Sequence, residues 1–159
     1  TPMDARYEDR RRVYLSFERE AVRRSLDAVD KVTKEGALAG LQDIVIDTTG
    51  SVIYLDDEIL EELKKKTKIV YLETPSQSHT QLSDRYFKHP KPIIWDESFK
   101  PIAGENKLET LIRCIKELIQ RRHERYLQLA EVVLDFDSHN TNFISTREFM
   151  ERVCGTATE

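Results

Sequence analysis

Three short aliphatic runs, separated by helical stretches, constrain the fold of this chain more than any other feature of its sequence. The runs are residues 43–47, 69–72 and 132–134, and their aliphatic residues are consecutive instead of alternating with polar ones. A strand of this kind is covered on both faces, which is typical of parallel strands inside an α/β sheet. We therefore predict an α/β fold in which a parallel sheet is flanked by helices.

The stretches between these runs have the period of helices with one buried face. Residues 14–34 and 108–130 carry apolar side chains at helical spacing among charged ones. Asp56 and Asp57 open a further helix that ends in three lysines, so charges of both signs suit the helix dipole. Two more helix starts are predicted by capping residues, at Thr74-Pro75 and at Ser145-Thr146-Arg147-Glu148.

A single α/β domain covering residues 1–159 is expected, because chains of about 100 to 200 residues usually form one domain. Residues 88–107 interrupt the helical pattern with three prolines and a glycine around the apolar Ile93-Ile94-Trp95. We interpret this stretch as a lid-like loop.

Charge and cysteine content exclude several classes of function. With 29 acidic and 25 basic residues, the chain has a net charge of −4, which argues against a nucleic-acid partner. No apolar run reaches the roughly 18 residues that a membrane span needs. Cys114 and Cys154 have no spacing typical of a disulfide framework or a zinc site, so we expect a cytoplasmic protein without a membrane partner.

The glycines do not form a phosphate-binding loop. Such a loop has the form Gly-x-x-x-x-Gly-Lys-Ser/Thr, because backbone N–H groups and a lysine must surround the phosphate oxygens. Gly36 and Gly40 come nearest in spacing, but they lack the Lys-Ser/Thr pair and precede a predicted strand. The sequence therefore contains no residues that would hold ATP in the usual way.

Polar residues follow the first aliphatic run at its carboxyl end, where open α/β sheets bind ligands. Asp47 ends the run in the manner of an acidic residue that holds Mg²⁺. The alternative is that its carboxylate only caps the following turn. Thr48, Thr49 and Ser51 carry hydroxyl groups that suit a ligand at this edge.

Five segments, in this order, resemble shikimate kinases over most of the chain, from about Tyr14 to Val153. They match the substrate helix, the glycine-rich turn, a buried strand, the lid and a late helix of that family: Tyr14-Leu15-Ser16-Phe17-Glu18, Thr48-Thr49-Gly50-Ser51, Ile69-Val70-Tyr71-Leu72, Lys91-Pro92-Ile93-Ile94 and Arg122-His123-Glu124-Arg125-Tyr126. The resemblance implies a P-loop kinase fold, here without its first strand and phosphate loop.

The same resemblance implies a function. Shikimate kinases use ATP and Mg²⁺ to phosphorylate a small hydroxylated carboxylic acid in aromatic amino acid biosynthesis. A small carboxylate would thus be the partner of this chain, which would be a truncated or incomplete kinase, inactive by itself. The residues implied are Glu18, Thr49, Gly50, Ser51 and Arg122 for substrate binding, Arg85 and Lys91 for catalysis, and Asp47 for the metal.

Departures from the family pattern bear on the substrate. Leu15 occupies the position of a family arginine that pairs with the substrate carboxylate, and Arg11, one helical turn earlier, is a candidate for the same role. Lys91 replaces the lid arginine, and Gly50 alone remains of three glycines. Arg122 matches the late-helix arginine, although a solvated base is an equally good interpretation.

Two other functions stay open at this point. One is a non-catalytic ligand-binding or assembly domain that retains the kinase fold. The other is calcium binding, since five residues have the spacing of a calcium loop, but His and Thr replace acidic ligands and Asn142 replaces the turn glycine. The five are Asp137, His139, Thr141, Ser145 and Glu148.

Overall fold

The chain divides into two compact units, Thr1–Thr67 and Lys68–Glu159. The structure, a computed structural model, describes residues 2–34, 44–75, 78–89, 91–136 and 144–155. In these ranges the protein is mixed α/β and mostly helical, with a two-stranded parallel sheet. The predicted α/β class is confirmed at this level.

The described part of the first unit contains two helices and a short turn of 3-10 helix. Helix α1 spans Tyr7–Lys34, the 3-10 turn spans Val52–Tyr54, and α2 spans Asp57–Lys66. Helix α1 starts well before the predicted residue 14. The apolar period is missing from this first part, but ion pairs three residues apart support the helix there.

One face of α1 packs into the core of this unit. Glu18, Val22 and Leu26 are spaced four residues apart and are 8%, 6% and 1% exposed. Ile59 and Leu63 of α2 are also buried, and α1 contacts both α2 and the 3-10 turn. The core is thus aliphatic, except that the carboxylate of Glu18 lies at its edge.

The prediction of a buried strand at residues 43–47 is wrong for residues 44–47, which the structure describes. Residues 44–49 form no regular secondary structure, and residue 43 lies outside the described ranges. Ile44 is 45% exposed and Val45 is 86% exposed. A strand needs a neighbour for its backbone hydrogen bonds, and the described residues provide none for this segment.

The second unit contains the sheet. Strand β1 spans Val70–Leu72 and strand β2 spans Val132–Leu134; they pair in parallel, with Val70 opposite Val132. The second and third aliphatic runs are therefore confirmed as strands. Parallel strands need a crossover connection, and here it contains helices α3 and α4.

Helix α3 spans His79–Lys88, and α4 spans Lys107–Leu129. The long helix predicted at 108–130 is confirmed, and Asn106 caps it by accepting hydrogen bonds from the backbone of Leu108 and Glu109. The helix predicted to start at Thr74-Pro75 begins at His79, after residues 76–77, which are outside the described ranges.

The last helix, α5, spans Thr146–Cys154 and begins with the predicted capping box. Ser145 Oγ accepts from Glu148 N at 3.2 Å, and a Glu148 carboxylate oxygen accepts from Ser145 N at 2.8 Å. Through this capping box Glu148 has a structural role that needs no calcium. Three positions of the calcium-loop alternative, residues 137, 139 and 141, lie outside the described residues.

Residues 91–106, between α3 and α4, have no regular secondary structure but carry part of the core of this unit. Ile94, Trp95 and Ser98 are 8%, 3% and 0% exposed. The indole of Trp95 meets the rings of Phe99 and Tyr86 edge-on, with centroids 5.3 Å and 6.4 Å apart. The apolar patch of the predicted lid-like loop, residues 88–107, is thus packed inside the unit.

Candidate functional site

A buried carboxylate with hydroxyl partners is the best-defined polar cluster of the first unit. Glu18 and Ser51 are 8% and 5% exposed. Ser51 Oγ donates to Glu18 Oε2 at 2.7 Å, and Thr49 Oγ1 donates to Glu18 Oε1. Three of the residues predicted to bind substrate therefore meet in one place, which we call the Glu18 cluster.

The turn before the 3-10 helix positions the two hydroxyl groups. Ser51 N donates to Thr49 Oγ1 at 3.2 Å, and the two side-chain oxygens lie 2.8 Å apart. Val52 N donates to Thr49 O at 3.2 Å, which closes the turn. Gly50, the fourth predicted substrate-binding residue of this unit, is exposed between them.

Tyr14 belongs to the Glu18 cluster, although the sequence did not predict it as a site residue. Its hydroxyl oxygen lies 3.5 Å from both Thr49 Oγ1 and Ser51 Oγ. The signal in the sequence was its position four residues before Glu18, on the same helical face. Tyr14 is 40% exposed, so the cluster is reached from the surface on this side.

No cation neutralises Glu18 within the described part of the chain: its interactions are the two hydrogen bonds from Thr49 and Ser51. Arg11, the candidate replacement for the family arginine, instead donates to Glu8 at 3.2 Å. The carboxylate of Glu18 therefore depends on hydroxyl donors alone.

A cavity of about 460 Å³ lies on the same unit beside α1. Leu15, Arg11 and Arg19 line it from α1, and Arg19 forms an ion pair there with Asp56, the residue that precedes α2. The Nε atom of Arg11 is buried and has no hydrogen-bond partner. Arg11 thus faces this cavity and does not compensate Glu18.

Asp47 is exposed within residues 44–49, which have no regular secondary structure. No group of three or more His, Cys, Asp or Glu side chains capable of holding a metal occurs among the described residues. Mg²⁺ is commonly held by one or two carboxylates together with substrate phosphates, and Asp47 would supply one carboxylate. Its role at a metal stays a prediction.

The three predicted cations of the second unit differ in their surroundings. Arg85 on α3 and Lys91 are exposed. Arg122 on α4 is half-buried and donates from Nη2 to the carbonyl oxygen of Ile94 at 2.9 Å. Arg122 therefore ties residues 91–106 to α4 and is not a freely solvated base.

Replacing Arg122 by alanine should loosen this connection. The loss of a hydrogen bond from a charged donor should cost about 1.5 kcal/mol of stability and make Trp95, the neighbour of Ile94, more accessible to acrylamide. Quenching of Trp95 fluorescence measures this accessibility. Arg125→Ala, at an exposed position on α4, is the control, and equal quenching in both variants would show that the Arg122 hydrogen bond does not hold the segment.

A second polar cluster, missed by the sequence reasoning, lies at the carboxyl end of β1. The hydroxyl of Tyr71 and Nδ1 of His123 are 3.1 Å apart, and His123 Nε2 is 3.7 Å from Glu73 Oε1. Burial, and to a lesser degree the charge of Glu73, raise the pKa of Tyr71. The sequence did not indicate this cluster, because no spacing links residues of β1 to a residue of α4.

No protein-family model matches this chain, and no curated protein or solved structure shows significant similarity to it. Every helix in the described ranges is too short or too polar to cross a membrane. A functional assignment therefore depends on the geometry of the clusters and on the sequence resemblance.

Proposed function

We propose that this chain is the acceptor-binding part of an ATP-dependent phosphotransferase, similar to a shikimate kinase, in a truncated or incomplete form. Its acceptor is a small hydroxylated carboxylic acid. The Glu18 cluster carries the proposal, because residues that the resemblance assigns to substrate binding, more than 30 residues apart in the chain, lie within hydrogen-bond distance. The resemblance depends only on the order of segments in the sequence, so the proximity of these side chains is independent support.

The chemistry of the cluster suits the recognition of an acceptor hydroxyl. A carboxylate accepts several hydrogen bonds, and each hydroxyl group both donates and accepts. A substrate hydroxyl can therefore take the place of Thr49, the exposed partner of Glu18. Phosphoryl transfer depends mainly on positioning this hydroxyl and on neutralising charge at the phosphate, and the Glu18 cluster would contribute the first of these.

The second unit supports the proposal through its strands. The resemblance includes the buried strand at residues 69–72, which corresponds to β1, and β1 pairs in parallel with β2. Arg85, Lys91 and Arg122 are the cations that the resemblance assigns to the site in this unit. ATP and Mg²⁺ belong to the proposal only as the family's cofactors, because this chain lacks the phosphate loop.

Calorimetric titration of shikimate and quinate, together with an ATP turnover assay, tests this function. We expect binding of at least one hydroxylated acid and no hydrolysis or transfer above a buffer control, since no loop holds the phosphates. Turnover that Asp47→Ala abolishes would contradict the incomplete form. Absence of binding by any such acid would refute the acceptor site.

A non-catalytic ligand-binding or assembly domain with the same fold is the second candidate, and the missing phosphate loop favours it. Both candidates predict ligand binding without turnover, so the coding sequence upstream of Thr1 is the better discriminator. A strand followed by a phosphate loop there favours the phosphotransferase. An unrelated segment favours the binding domain.

A further inference from the structure

The surroundings of Glu18 contain a charge imbalance that points to a particular ligand group. Glu18 is 8% exposed, yet its carboxylate forms no ion pair with any described residue. Burying a charge is costly unless an opposite charge accompanies it. Two hydroxyl donors reduce this cost but do not neutralise the charge.

The neighbouring residues of α1 do not provide the missing cation. Leu15, one turn before Glu18, is aliphatic. Arg11 is bonded to Glu8, and Arg19 is paired with Asp56. These two arginines are therefore paired with other acids, and no described residue supplies a positive charge at Glu18.

We propose that Glu18 binds the ammonium group of the ligand, so that the acceptor is a hydroxylated amino acid. This inference rests on the acceptor site proposed above but not on phosphoryl transfer. An ammonium group has three N–H donors and no acceptor. The Glu18 cluster offers oxygen acceptors from the side chains of Glu18, Thr49, Ser51 and Tyr14. The side-chain oxygens that form hydrogen bonds with one another in this cluster lie 2.7 to 3.5 Å apart.

The exposure of the four residues also shows how an ammonium group can reach Glu18. Thr49 and Tyr14 are exposed, whereas Glu18 and Ser51 are buried beneath them. Rotation of the Thr49 side chain frees one carboxylate oxygen of Glu18 towards the surface. The ammonium group then gains a charge-assisted hydrogen bond, which is stronger than the neutral-donor bond that it replaces.

Serine and glycerate are the matched probes, because they differ only in an ammonium group in place of a hydroxyl. Titrations followed by NMR chemical shifts should show that wild-type protein binds serine about tenfold more tightly than glycerate, as expected for a charged hydrogen bond. Glu18→Gln should remove this preference. Glu20→Gln, at an exposed position on the same helix that is paired with Arg24, should retain it.

The other outcomes are distinct. Equal, Glu18-dependent binding of glycerate and serine would overturn the ammonium proposal and leave the acceptor site for hydroxy acids intact. Binding of none of serine, glycerate, shikimate and quinate would overturn both. Thermal stabilisation by KCl that Glu18→Gln abolishes, without serine binding, would assign the oxygens to an alkali cation and also overturn the proposal. If Glu18→Gln does not fold, equal affinity of the wild-type protein for serine and glycerate still overturns the proposal.

Discussion

Replacing Trp95 by alanine should lower the free energy of unfolding by about 3 to 5 kcal/mol, the range for large aromatic residues removed from a core. The indole is 3% exposed and packs edge-on against Phe99 and Tyr86. Its removal leaves a cavity among aromatic rings that cannot easily collapse. Trp95 is therefore expected to act as a core residue and not as the tip of a lid.

Urea denaturation followed by circular dichroism measures this loss without the tryptophan signal. Leu108→Ala is the control, since Leu108 belongs to the same unit but is 57% exposed, and it should change stability by less than about 0.5 kcal/mol. A cost below about 1 kcal/mol for Trp95→Ala would contradict the packed arrangement. It would restore the interpretation of this segment as a lid-like loop.

Breaking the pair between Arg113 and Glu105 should reduce the acid sensitivity of the second unit. Arg113 donates from Nε and Nη2 to the two carboxylate oxygens of Glu105 at 2.7 Å and 2.8 Å, and also from Nη2 to Lys100 O at 2.6 Å. The bonds from Arg113 to Glu105, with further ones from Thr110 and from the backbone N–H of Ile102, lower the pKa of Glu105 from 4.5 to about 2. The pair thus holds the loop before α4 against that helix.

The sign of the pH effect follows from this shift. Because the pKa of Glu105 is lower in the folded state, the unfolded state binds more protons in the acid range. The contribution of Glu105 is present above pH 4.5 and is lost as the pH falls towards 2. Denaturation at pH 6 and pH 3 should show a smaller difference for Arg113→Met than for wild type. Arg121→Met, which removes longer ion pairs, is the control, and an unchanged pH dependence in Arg113→Met would disprove the assignment.

The strands and helices that the sequence predicted correctly are those whose signal is local. Strands β1 and β2 and helix α4 follow from hydrophobic pattern, and the cap of α5 comes from side chains within four residues. Residues 43–47 have an equally strong aliphatic pattern. The strand prediction for these residues was wrong because a strand also needs a neighbouring strand to pair with, and the hydrophobic pattern alone does not supply one.

The candidate site was predicted only in part for a related reason. Proline and glycine around Trp95 correctly indicated a break between helices, but they carry no information on burial. The Glu18 cluster was reached through a family pattern, whereas Tyr71 and His123 meet across β1 and α4 with no sequence spacing to indicate it. Contacts between distant segments were predictable only where a pattern already linked the segments.

A titration of shikimate into hydroxyl-deleted protein tests the central claim, that the Glu18 cluster is an acceptor-binding site. Wild-type protein should bind shikimate, and the double variant Thr49→Val, Ser51→Ala should bind it about tenfold more weakly, as expected when two hydrogen-bonding groups are lost. Ser16→Ala on α1, whose hydroxyl donates to its own helix at Val13 O, should bind like wild type. Equal affinity in all three proteins would contradict the claim.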